Sequence, residues 1–460
     1  MVFKNVFTEN AALRYVNDRL LVTSGLGRSW LMNTAFMTDE HMLQDELDRV
    51  GRMVALCRDE AHRAAFRNIH EQFCQLNDIR PTVALMNGDV VFDDIQLFEI
   101  KKTALIARNV ERILQEISCQ DFPMREMTPL VEILDPEHTN IAHFYVYSAY
   151  SDRLAELREQ MRRCEDVEQQ ERLRFQAEQQ EDVVRAELTR KVAPFQEALM
   201  CNLETLAQLD VVVAKALLAI EWHACQPKIA SETSYRQLRN PEVDEILRGQ
   251  GKQFQPLDLS YGRETVLVTG ANMAGKSVLL KTLSMAQYLM QFGFFIPAEQ
   301  ASVALVDEVI SSIGDNQSEH SGLSSFAVEI LTIDRIIRRA REGARVLALV
   351  DELARTTNPE EGKLLVNGFV MMTQKLSVTA VVTTHYSGIH VPCRRLRVKG
   401  LQLDGQQNVT ARTITDYMDY SLVETHDDEV PKEALTIAEM LGVDEEFLRV
   451  SKEGEDERNC

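Results

Sequence analysis

Thr269-Gly-Ala-Asn-Met-Ala-Gly-Lys-Ser277 is the stretch on which the fold turns. Gly270, Gly275, Lys276 and Ser277 satisfy the spacing Gly, four residues, Gly-Lys-Ser/Thr. Glycines let backbone N–H groups close around a triphosphate, the lysine reaches its outer phosphates, and the hydroxyl is a ligand for Mg²⁺. A pattern this short also arises by chance, so its surroundings decide. Glu264 to Val268 reads as a short buried strand, and Val278 to Phe292 is an apolar run of helical length without Gly or Pro. The loop therefore sits at a helix N-terminus, where free N–H groups and the helix dipole attract anions. ATP with Mg²⁺ is the expected ligand, held by Gly270, Ala271, Asn272, Met273, Ala274, Gly275, Lys276, Ser277 and Val278.

A phosphate loop needs carboxylates nearby. Val346-Leu-Ala-Leu-Val-Asp351-Glu352 supplies them at the end of an apolar strand about 75 residues on. Asp351, with Ser277, is expected in the Mg²⁺ shell, and Glu352 is expected to polarise the attacking water. Ala304 to Glu308 imitates this pattern, but as a strand it follows the first helix too closely, so Asp307 and Glu308 are expected to be structural. Thr379 to Thr384 reads as another buried strand and leads into His385. Ligands in open α/β sheets lie at strand C-terminal ends, so His385 is a candidate to bond the terminal phosphate or the water. Gln317 to Glu329 is a small-residue segment that leads into a helix and offers N–H and hydroxyl donors to phosphate.

The rest of the chain has a different grain. No glycine occurs between Gly88 and Gly249, which points to a long helical region, because glycine is the usual residue of turns and helix ends. Leu199, Leu203, Leu206, Val213, Leu217 and Ile220 follow a near-heptad spacing interrupted by Asp210, as expected of one long amphipathic helix. Before it, Ser151 to Arg190 holds eleven acidic and eight basic residues with a thin stripe of Leu154, Leu157 and Met161. This is either a protruding helical hairpin with a partner or a solvated helix face without one. After Gly249, short Val/Leu/Ala-rich strands alternate with helices, the pattern of an α/β domain with a mostly parallel sheet. Val398 to Leu403 and Val409 to Thr413 read as a hairpin, Glu424 to Glu429 as a linker, and Pro431 to Val450 as a final helical pair.

A net charge of −21 and an isoelectric point near 5.0 oppose constitutive nucleic-acid binding, which needs clustered Lys and Arg. Eight cysteines without a C-x-x-C pair suit reduced thiols in a cytoplasmic setting. The longest apolar stretch, Val211 to Trp222, is short and carries Lys215 and Glu221, so no membrane span is expected.

Taken together, these residues resemble the ATPase domain of the MutS family, a branch of the ABC-type ATPases. Asn272 and Met273 between the loop glycines, Gly293-Phe-Phe-Ile-Pro-Ala298, Ser321-Gly-Leu-Ser-Ser-Phe-Ala-Val-Glu329 and Thr384-His-Tyr386 carry the resemblance. Outside the ATPase, Gly27 to Val50, Val91 to Ile106, Leu209-Asp210, Arg239-Asn-Pro241 and Ala434 to Glu453 are similar to the family's core, lever, ATPase entry and tail. The resemblance implies a multidomain α plus α/β chain: helical core 1–150, protruding clamp-like hairpin 151–190, lever helix and connector 191–248, ABC-type P-loop ATPase domain 249–423, and linker with helical dimerisation tail 424–460. It also implies a short form lacking the mismatch-reading domain and a following nuclease domain. Ala271, Ala274 and Val278 stand where the family has Pro, Gly and Thr, changes that a phosphate loop tolerates for binding and that bear on rate. Asp351 to Gly362 is closer to the anti-recombination branch than to mismatch repair, with Arg355 where that branch has a small residue.

By the same resemblance, Ser321, Gly322, Ser324 and Ser325 of one subunit would cover the ATP of another, in a homodimer or in a heterodimer with a related subunit. ATP binding would close the dimer and hydrolysis open it, and the helices would carry that motion to a macromolecular client. DNA is the family's partner. Short MutS-like proteins are also associated with reactivation of adenosylcobalamin-dependent aminomutases, and the mildly acidic hairpin favours such protein remodelling. An inactive scaffold is the third alternative.

Overall fold

The structure is a computed structural model that describes residues 1–271, 274–314, 325–402, 414–426, 437–439 and 442–456. Its strands are β1 (Lys228–Ala230), β2 (Thr233–Leu238), β3 (Leu257–Tyr261), β4 (Thr265–Thr269), β5 (Gln300–Ala304), β6 (Glu308–Ser312), β7 (Val346–Val350), β8 (Thr379–Thr384), β9 (Arg394–Leu401) and β10 (Met418–Glu424). Six of them form one sheet in the order β10-β9-β4-β8-β7-β6, parallel except for the β9–β10 pair. Every residue of β4 and β7 is buried, because helices cover both sheet faces and a parallel sheet then needs continuous apolar runs. Val266 and Val268 face the helix Lys276–Gln291 and the larger core, while Leu267, Ala348 and Val382 pack with Ile336, Val366 and Phe369 on the other side.

The second sheet, β1-β5-β2-β3, has no counterpart in the sequence-based expectations. Ala304 to Glu308 is not a strand: β5 ends at Ala304 and β6 begins at Glu308. Glu308 is bound by Arg335 and Arg339 of the helix Ser325–Arg341 and so ties helix to strand, whereas Asp307 pairs with Arg345, the residue before β7, and ties the starts of β6 and β7 together. β9 pairs with β10 and β4, and Val409 to Thr413, expected as its hairpin partner, lies outside the described residues. Glu424, expected to open a linker, is the last residue of β10 and pairs with Leu396. In the tail, residues 437–439 and Glu445–Asp456 are helical on either side of Gly442, and residues 427–436, 440 and 441 lie outside the description.

The helical part is built around the 26-residue helix Gln196–Glu221. Its N-terminal half buries Leu199, Leu203 and Leu206 as the heptad spacing requires, but Leu217 is exposed. From Leu209 onward the buried set widens to Asp210, Val211, Val212, Ala214, Lys215, Ala216, Leu218 and Ala219, because neighbours pack around more than one stripe. Asp210 does not interrupt the seam idly. Its carboxylate accepts Thr23 N–H at 3.0 Å, Ser24 N–H at 2.7 Å and the Ser24 hydroxyl at 2.6 Å. Ser24 in turn caps the helix Gly25–Asn33. Burial raises the Asp210 pKa even against these hydrogen bonds.

Residues 152–163 and 167–192 form two packed helices, with Leu154 and Leu157 buried between them. The second helix joins the long one through the single 3₁₀ turn Ala193–Phe195. Phe292, at the far end of the helix Lys276–Gln291, meets Phe3 at a ring distance of 5.1 Å and Phe36 at 5.5 Å, so the two halves share one core. Among the described residues no helix is long and apolar enough to cross a membrane, and no two cysteines are bonded.

Candidate active site

Three neighbouring strands, β4, β8 and β7, deliver their C-terminal ends to one place. From β4 the chain turns through the phosphate loop into the helix Lys276–Gln291, with Gly275 at its N-cap and φ of 75°. A side chain there would be strained, and its Cβ would lie 3.1 Å from the Tyr420 ring. Lys276 is buried, and its ammonium donates to the carbonyls of Gly270 at 2.7 Å and Ala271 at 3.0 Å. It also pairs with Glu352 at 3.2 Å.

β7 ends at Asp351 and Glu352. The Ser277 hydroxyl donates to Asp351 at 2.5 Å, and the Thr383 hydroxyl donates to the other Asp351 oxygen at 2.7 Å. Thr383 also accepts the Glu352 N–H at 3.0 Å, so one threonine on β8 holds both carboxylate residues. Glu352 is in the left-handed region, with φ of 48°. Such a backbone in a non-glycine residue is strained and persists only where the surroundings hold it, as at many functional sites. Beyond β8, His385 Nδ1 lies 3.8 Å from Glu352. The structure thus brings Gly270, Gly275, Lys276, Ser277, Asp351, Glu352 and His385 together. Asn272, Met273, Ser321, Gly322 and Ser324 lie outside the described residues, and Ser325 opens the helix Ser325–Arg341.

Beside the loop a cavity of about 640 Å³ is lined by apolar Ala274, Val278, Leu247, Phe254, Val398 and Leu422, with Gly275 and Tyr420, and by polar Lys252, Gln253 and Asp416. A largely apolar cleft flanked by a few polar groups and touching a phosphate loop suits a nucleobase. Sequence reasoning missed this wall, because residues 243–255 carry no motif. It also missed Thr383, although the Thr-Thr-His run already placed a hydroxyl next to the candidate histidine.

A buried lysine in a glycine loop, a hydroxyl meeting a strand-end carboxylate, and a second carboxylate beside a histidine define a P-loop ATPase. Residues 266–453 match the family described as MutS domain V, which is the ATPase domain of the MutS family. Endonuclease MutS2 of Levilactobacillus brevis is 36% identical over 212 residues, 45% of this chain and 26% of that protein. That of Carboxydothermus hydrogenoformans is 33% identical over 274 residues, 56% of this chain and 33% of that protein. For Geobacillus sp. the figures are 32% over 275 residues, 58% and 33%. The chain spans about a third or less of these curated relatives. Over these residues the chain is similar to MutS-family proteins.

Proposed function

We propose that this protein hydrolyses ATP to drive the closing and opening of a dimer that remodels a macromolecular client, and that the client is a protein. Lys276 binds the outer phosphates, and an entering phosphate replaces Glu352 as its counter-charge. Glu352 is then released to polarise the attacking water, with His385 beside it to bond the water or the terminal phosphate. Ser277 and Asp351 present the oxygen donors that Mg²⁺ favours and would hold it. When bound, the ion offsets charge developing on the transferred phosphoryl group. Ser321, Gly322, Ser324 and Ser325 act on the nucleotide of the second subunit.

The observation that supports coupling to a client is the Lys215 ammonium. It donates to Phe292 O at 2.8 Å, at the end of the phosphate-loop helix, and to Glu46 at 2.7 Å. A shift of that helix therefore pulls on the long helix and, through residues 193–195, on the hairpin. In the hairpin, Arg158, Arg162, Arg163, Arg172, Arg174 and Arg185 pair with carboxylates, whereas Phe175 and Val183 are exposed. A surface of this kind is poorly suited to neutralising phosphates and offers apolar contact to a protein. An adenosylcobalamin-dependent aminomutase is the client that the sequence resemblance suggests, in the cytoplasm. Its test is ATP-dependent exchange of damaged cofactor from such an enzyme.

The second reading, a DNA-acting ATPase of mismatch repair or recombination control, draws on the relatives titled Endonuclease MutS2. Duplex DNA titrated near 150 mM salt separates the two. The protein-client reading predicts binding no tighter than generic non-specific association, roughly 10⁻⁴–10⁻⁶ M. A sub-micromolar duplex complex, mismatch-selective or not, would overturn it.

A further inference from the structure

Two residues after Glu352, the buried Ala354 is again left-handed, with φ of 64°. Its peptide groups are gripped from two different elements. The Ala354 N–H donates to the Glu329 carboxylate at 3.1 Å, from the helix Ser325–Arg341. The Ala354 carbonyl accepts the Tyr386 hydroxyl at 2.7 Å, from the residue that follows His385. Gly362 makes room for that hydroxyl, since a Cβ at Gly362 would lie 2.4 Å from it. Burial, and then the nearby charges of Glu329 and Glu352, raise the Tyr386 pKa, so the phenol keeps the proton it donates. Within the turn, Arg355 N–H returns to the Glu352 carbonyl at 3.1 Å.

L-residues resist this backbone, so an alanine there stays only where neighbours hold it. We propose that Glu329 and Tyr386 are positioning residues: they hold the left-handed turn that aims Glu352, so that the seating of the helix headed by Ser325 sets the catalytic carboxylate. The inference rests on the reading of Glu352 as the water-polarising group. It makes the turn a mechanical link between the helix Ser325–Arg341 and the water, through a contact that neither the phosphate-loop nor the strand-end pattern contains.

Steady-state ATP turnover and nucleotide affinity of purified variants test it. Glu329→Ala should lower kcat by roughly ten- to a hundredfold, the usual effect of misplacing a reacting group, with nucleotide affinity unchanged. Glu329→Gln, which keeps an oxygen acceptor, should recover most of the turnover. Adding Ala354→Gly to Glu329→Ala should also recover it, because glycine adopts the turn without being gripped. Tyr386→Phe should lower kcat alone and serves if Glu329→Ala does not fold. Loss of kcat that neither Glu329→Gln nor Ala354→Gly restores, loss of affinity in parallel with kcat, or normal turnover in both Glu329→Ala and Tyr386→Phe overturns the proposal. Glu352→Gln is the control: normal turnover there removes the underlying reading of Glu352, whereas a dead Glu352→Gln beside fully active Glu329→Ala and Tyr386→Phe removes this inference alone.

Discussion

Lys215 donates to the Phe292 carbonyl at 2.8 Å while pairing with Glu46 at 2.7 Å, and its side chain is buried. One ammonium thus caps the end of the phosphate-loop helix and neutralises a carboxylate on the helix Glu40–Arg58. Burial raises the Glu46 pKa, but the Lys215 charge and hydrogen bond, with Arg49, outweigh it and hold the carboxyl below its ordinary range. The resulting stability is complete above the pKa of unfolded glutamate and is lost as pH falls through the lower folded value. Lys215→Met should destabilise by up to about 3–5 kcal/mol at neutral pH, because it leaves the buried Glu46 with Arg49 as its remaining cation. It should also reduce the acid-side loss attributable to Glu46. Denaturant midpoints at neutral and acid pH measure both; a variant as stable as the parent would contradict the bridge.

Gly27 is a second steric test. A Cβ at this position would lie 2.4 Å from the Asp210 carboxylate that organises the helix Gly25–Asn33. Gly27→Ala should destabilise by about 1–3 kcal/mol through overpacking, even though alanine is the better helix former. Thermal unfolding reads the sign, and stabilisation would mean that Asp210 can move aside at little cost.

How much of this was legible in the sequence varies by element. The strands β4 and β7 and the loop between β4 and its helix could be read because their signals are local: continuous apolar runs, glycines at fixed spacing, and charges at the strand end. Leu217 misled because a heptad count sees one stripe, whereas the C-terminal half of the long helix is packed on several sides. Asp307 and Glu308 looked like a strand end and proved to be a strand start, since polarity alone does not give direction along a strand. Thr383, Glu329 and Tyr386 gain their partners from strand order and helix docking, which no spacing in the chain encodes.

Lys276→Ala removes the charge proposed to hold the outer phosphates. Nucleotide affinity should fall by roughly ten- to a hundredfold, the equivalent of charge-assisted hydrogen bonds worth about 1.5–3 kcal/mol. Calorimetric titration with Mg²⁺-ATP is the measurement, and unchanged affinity would place the phosphates elsewhere.

The composite site proposed across the dimer has its own test. Mixing a Lys276→Ala subunit with a Ser321→Arg/Ser324→Arg subunit should restore turnover at one of two sites, because each defective chain supplies what the other lacks. Mixed dimers confirmed by mass, yet without restored ATPase activity, would argue that each subunit completes its own site.

ATP is proposed to be hydrolysed where Lys276, Asp351 and Glu352 converge, with Glu352 polarising the water. Paired measurement of ATP affinity and single-turnover hydrolysis in Glu352→Gln tests it most directly. Affinity should stay near that of the parent and hydrolysis should slow by roughly 10²–10⁴-fold, the usual contribution of general acid–base assistance. Near-parental hydrolysis in Glu352→Gln would contradict it.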